Sequence, residues 1–89
     1  MSDVSEILEE RGSRYGAFTA HALITQHLKG VMVDTNNWNR LDADMAEALD
    51  MIAHKIGRIL NGDPSYADSW IDIAGYAKLV ADRLEKDAQ

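Results

Sequence analysis

Asp42-Ala43-Asp44-Met45-Ala46-Glu47-Ala48-Leu49-Asp50-Met51-Ile52-Ala53-His54-Lys55-Ile56-Gly57-Arg58-Ile59-Leu60-Asn61-Gly62-Asp63-Pro64 is the stretch that decides the fold. Met45, Leu49, Ile52, Ala53, Ile56 and Leu60 recur in a three-and-four rhythm, which puts them on one stripe of an α-helix at 3.6 residues per turn. Asp42 is placed to cap its first turn, and Asn61-Gly62 supplies the residues that end it, so the helix is expected over 43–61.

Working towards the C-terminus, Asp63-Pro64-Ser65 forbids continuation and primes a second long helix, expected over about 66–86. Trp70, Ile73, Ala77, Val80 and Leu84 keep heptad spacing there, and Ile71 and Leu79 extend apolarity to other faces. Gly75 lies mid-helix, where close approach of another helix is the simplest reason to tolerate it. Towards the N-terminus, Asp34-Thr35-Asn36-Asn37 is turn chemistry, with Trp38 and Leu41 expected to tuck back as an ordered plug. A helix over about 17–32 precedes it, with Phe18, Ala22, Leu28 and Met32 on its apolar face. A first short helix, about 3–11, is capped by Ser2 or Asp3 and is expected to stop before Gly12, leaving Arg11 to Gly16 as a loop. No alternating apolar run bounded by hairpin turns competes with these helices. The chain therefore reads as one all-α domain, residues 1–89, a four-helix bundle-like unit.

At 89 residues, folding removes only roughly 60–65% of the unfolded chain's surface from water, so completion of the bundle by a homo-oligomer is expected. There is no cysteine, which excludes disulfides, thiolate metal sites and cysteine nucleophiles. No stretch has the features of a secretory signal or the roughly 18 apolar residues of a membrane span, so the expected location is the cytoplasm, without membrane partners. Fifteen acidic against nine basic side chains give a net charge of -6, which opposes attraction to nucleic acid and means that a bound phosphate must meet a local basic cluster.

Two constellations can bear chemistry. Glu47, Asp50, His54 and Arg58 share one stripe of the third helix, with Lys55 at its border, and Asp68, Asp72, Tyr76 and Arg83 share a face of the fourth. A cleft between those faces would join carboxylates able to hold magnesium with cations able to grip phosphate; the bland alternative is a solvated face. Arg11, Arg14 and Tyr15 offer guanidinium groups for phosphate and a ring for a base, or else form a mere capping segment with Tyr15 packed inward. The histidines lack zinc spacing and read as surface or hydrogen-bonded groups; no nucleophile elbow or P-loop spacing occurs.

The strings from Glu10 to Gly16, Met51 to Asp63 and Asp68 to Ala77 resemble a family of small phage and prophage proteins of unassigned function. Lys55, Arg58, Asp68 and Asp72 with Ile73-Ala74-Gly75-Tyr76-Ala77 are more distantly similar to phage nucleotide-modification-associated domains and to the all-α MazG-like nucleotide pyrophosphatases. The latter resemblance implies magnesium held by Glu47, Asp50, Asp68 and Asp72; one extra residue separates the last two relative to the enzyme pattern, turning a carboxylate by about 100 degrees. The expectation drawn is an oligomeric nucleotide binder, with Arg11, Arg14, Tyr15, Lys55, Arg58, Asp72 and Tyr76 as ligand contacts and no required cofactor. It would sequester a nucleotide-derived immune signal of the phage host. A magnesium-dependent pyrophosphatase and an acidic inhibitor of a host protein stand as the alternatives.

Overall fold

The structure, a computed structural model, describes residues 4–89 and is all-α, with helices α1 (Val4–Tyr15), α2 (Phe18–Val33), α3 (Ala43–Asn61) and α4 (Ala67–Asp87). A 3-10 turn, Trp38–Arg40, packs on α2, and Trp38 and Leu41 are half-buried there as the expected plug. Among the described residues there is no strand. The caps assigned to Ser2 and Asp3 lie outside the described residues.

Helix α3 is the spine. It packs along α4 on one flank and α2 on the other, while α1 folds back over α2 and α3. The four-helix expectation holds, yet α2 and α4 do not close on one another, so the bundle is open along one side. Its apolar core is consequently small: Ala48, Ala53 and Ile59 are buried, whereas Leu49 and Leu60 of the expected stripe are exposed. Met45, Ile52 and Ile56 are half-buried, so periodicity identified the right face, but the chain's other helices leave part of it uncovered.

Helix α1 corrects the sequence reading, because it continues through Gly12 to Tyr15. An exposed mid-helix glycine costs about 1 kcal/mol relative to alanine. Local bonds return only a few tenths of that: Arg14 Nη2 lies 3.2 Å from Glu10 Oε1 in an exposed pair, and Ser13 Oγ donates to the Glu10 carbonyl at 2.7 Å. The helix stops at Gly16, which has φ of 79° and donates its N–H back to the Gly12 carbonyl at 2.9 Å.

This bend is locked from the far end of α3. The Asn61 side-chain amide donates to the carbonyls of Tyr15 and Ala17, each at 2.9 Å, and Asp63 N–H donates to the Arg14 carbonyl at 2.6 Å. A Cβ on Gly16 would collide with Asn61, and one on Gly62 with the backbone of Arg14 and Tyr15. Glycine is therefore required on both sides of the crossing. At the opposite end, the Asp42 carboxylate does not cap α3; it and Asp44 accept hydrogen bonds from Arg83 of α4, which also pairs with Asp87.

Candidate anion-binding groove

The end of α1, the Gly16 bend, the first turn of α2 and the second half of α3 surround a groove of about 570 Å³. Arg11 and Tyr15 come from α1, Phe18 and His21 from α2, His54 and Arg58 from α3, with Leu8 at the margin. A second depression of about 310 Å³ shares Arg11, Tyr15 and Arg58 and adds Arg14 and Glu10, so the two form one cationic strip around the Tyr15 ring.

The Arg58 guanidinium sits over the Tyr15 ring, 4.2 Å from its centroid, which holds its charge at the groove wall without a carboxylate partner among the described residues. Arg11 likewise forms no ion pair among them. Arg14 is more committed: it bonds the Tyr66 hydroxyl at 2.6 Å, lies 4.8 Å from that ring's centroid and pairs with Glu10. Tyr66 in turn donates to Asp68 at 2.9 Å, which raises the phenol's pKa, and its ring meets Tyr15 edge-on at 6.1 Å.

Two imidazoles close the floor. His21 is buried, and its Nε2 lies 3.2 Å from Nδ1 of His54, with the rings edge to face at 4.6 Å; one N–H donates to the other's bare nitrogen. Thr25 Oγ1 lies 3.4 Å from the same His21 nitrogen, while His21 Nδ1 is buried near Gly57 with no hydrogen-bond partner among the described residues. Burial pushes the pKa of both rings down, helped by the Arg58 charge, and brings His54 to about 4. Both are neutral at pH 7, so the pair contributes hydrogen-bonding capacity and no charge. Phe18 also lines the groove, 77% exposed, with its ring tilted against that of His21 at 6.1 Å between centroids.

The structure thus gathers Arg11, Arg14, Tyr15 and Arg58 and sets Lys55, Asp72 and Tyr76 apart. Lys55 is buried and its Nζ lies 2.9 Å from Asp72 Oδ2, tying α3 to α4 away from the groove. Asp72 and Tyr76 line a shallow furrow on α4 instead, about 460 Å³ in volume. The expected cleft between the charged faces of α3 and α4 is therefore replaced: the His54 and Arg58 stripe turns to α1 and α2, because the spine helix has neighbours on several sides. Glu47, Asp50, Asp68 and Asp72 do not converge; among the described residues no group of three or more His, Asp or Glu could hold a metal ion. Phe18 and His21 were not singled out from the sequence as groove residues, and the contact of His21 with His54 was not foreseen. A shared helical stripe joined His54 to Arg58 in the sequence, but nothing local links His21 to a residue 33 positions away.

These features define a small all-α domain with a cationic, aromatic-walled groove at one end of its spine helix. The chain belongs to the DUF6378 family, a domain of unknown function whose model matches residues 1–84. No curated protein and no solved structure matches it. No helix among the described residues is long and apolar enough to cross a membrane.

Proposed function

We propose that the chain binds a nucleotide or nucleotide-derived anion in the α1–α2–α3 groove and captures it without chemical change. The observation that carries this reading is the meeting of Arg11 and Arg58 with the Tyr15 and Phe18 rings around one cavity. Guanidinium groups match phosphate oxygens bidentately, and an aromatic face accepts a base. His54, whose Nε2 is not used in the contact with His21, can bond a base edge or a sugar hydroxyl. The net charge of -6 disfavours a polyanion, so the ligand is small and its phosphate meets a local patch. As a phage-type protein, the reading taken from its sequence resemblance, it would draw down a signalling nucleotide of the host and work as an oligomer.

The test is a thermal-denaturation panel of nucleoside mono-, di- and triphosphates, cyclic dinucleotides and ADP-ribose, with and without magnesium. A ligand at 100 times its Kd stabilises the fold by about 2.7 kcal/mol, and Arg11→Ala or Arg58→Ala removes that gain while Lys55→Met keeps it. A panel without any shift, or a shift that survives both arginine variants, overturns the proposal. Release of pyrophosphate from a triphosphate would replace capture with the magnesium-dependent enzyme.

A further inference from the structure

The α4 helix is half-clothed. It packs on α3 and has no comparable contact with α1 or α2, leaving Ile71 62% and Leu79 69% exposed. The whole chain is correspondingly loose: its accessible surface is 6525 Å², against about 5200 Å² for a compact monomer of 9.9 kDa. Its radius of gyration is 15.4 Å, against about 12 Å for a compact domain of this length. The surplus of about 1300 Å² belongs to the chain as a whole, the α4 face being one contributor, and it leaves room for the roughly 800 Å² that each partner of a standard interface buries.

We propose that this face is covered by a second copy of the same chain, with the two α4 helices antiparallel and crossing at Gly75. The argument for a copy, and not a foreign partner, is self-complementarity about that glycine. In an antiparallel pair with two-fold symmetry, residues equidistant from the crossing point come level with each other. Four residues either side of Gly75 stand Ile71 and Leu79, so each exposed aliphatic chain meets its counterpart on the other helix. Three residues either side stand Asp72 and Lys78, of opposite charge; within the chain they already pair with Lys55 and Asp82, and with side chains 46% and 74% exposed they can also face each other across the axis.

No packing within the chain requires a glycine at 75: a Cβ there would meet nothing within 4 Å, as is also true of Gly12 and Gly30. The place of Gly75 at the floor of the furrow formed by Ile71, Asp72, Tyr76 and Leu79 has a use once another backbone must lie against it. Asp68 and Asp82, seven residues either side, carry like charge, but helices that cross diverge at that distance and Asp82 already holds Lys78 at 3.0 Å. The pairing assigns Asp72 and Tyr76 to the subunit boundary and stands whatever the groove binds.

The chain has no cysteine, so Gly75→Cys places a single thiol at the two-fold axis. Mild oxidation is expected to yield a covalent dimer at least about tenfold faster than from Gly30→Cys, another helical glycine with open space around it. Sedimentation equilibrium of the unmodified chain should give twice 9.9 kDa, and Gly75→Leu or Ile71→Glu with Leu79→Glu should halve that mass while far-ultraviolet dichroism stays helical. A mass of 9.9 kDa for the unmodified chain at all concentrations overturns the proposal. So does a dimer that persists in Gly75→Leu, or cross-linking at position 75 no faster than at position 30.

Discussion

His54 shows how a single ring comes to depend on its surroundings. The ring is half-buried, faces His21 from α2 and Arg58, Lys55 and Lys29 around it, and its pKa falls from 6.5 to about 4, chiefly through burial. The unfolded chain therefore takes up a proton near pH 6.5 that the folded chain refuses until about pH 4. Stability is full above pH 6.5 and declines as the pH falls through that window, by about 1–3 kcal/mol. Urea midpoints measured between pH 7.5 and 4.5 should fall on acidification, and His54→Gln should flatten the slope. A flat profile for the unmodified chain would mean that the ring is fully hydrated. None of this was readable from His21 and His54 as letters, because their partnership exists only after α2 lies against α3.

Between α3 and α4 the decisive pair is Lys55 and Asp72. The lysine side chain is 10% exposed and its partner 46%, so the two truncations are not equivalent. Asp72→Ala strands a buried ammonium and should cost about 1–2 kcal/mol, less than a fully enclosed pair would because water reaches the carboxylate. Lys55→Met keeps the packed stem and should change stability by less than about 1 kcal/mol. Chemical denaturation of the two single variants and the double variant checks this: in the Lys55→Met background the Asp72→Ala penalty should shrink to less than about 0.5 kcal/mol. At this scale the sequence was most legible. The Asp63-Pro64 break and the heptads of α3 and α4 placed both helices to within a residue. The end of α1 was not, since the bonds from Asn61 and Asp63 that hold Tyr15, Ala17 and Arg14 arrive from more than forty residues away. Asp42 read as a cap for the same reason: Arg83, its actual partner, is 41 residues distant.

For the whole molecule, the open side of the bundle leads to a test of the proposed pairing, because the stability of an obligate dimer depends on chain concentration. If two chains unfold together, a hundredfold rise in chain concentration adds about 2.7 kcal/mol per dimer, and Tm should climb by several degrees. Scanning calorimetry over that range checks it, and a constant Tm would show that one chain folds alone. Composition and length foretold an incomplete core, and the exposed Leu49 and Leu60 agree with it. The site was only half legible: Arg11, Arg14, Tyr15 and Arg58 do meet, but the choice between Arg58 and its near neighbour Lys55 is made by which flank of α3 each occupies.

The junction where Asn61, Gly62 and Asp63 grip the α1–α2 bend has a mechanical meaning. It is a knuckle, with α1 and α4 as the two levers that spring from it, joined further by Arg14 against Tyr66. A load that tilts the first lever is therefore borne at the knuckle, by the bonds that Asn61 and Asp63 make to Tyr15, Ala17 and Arg14.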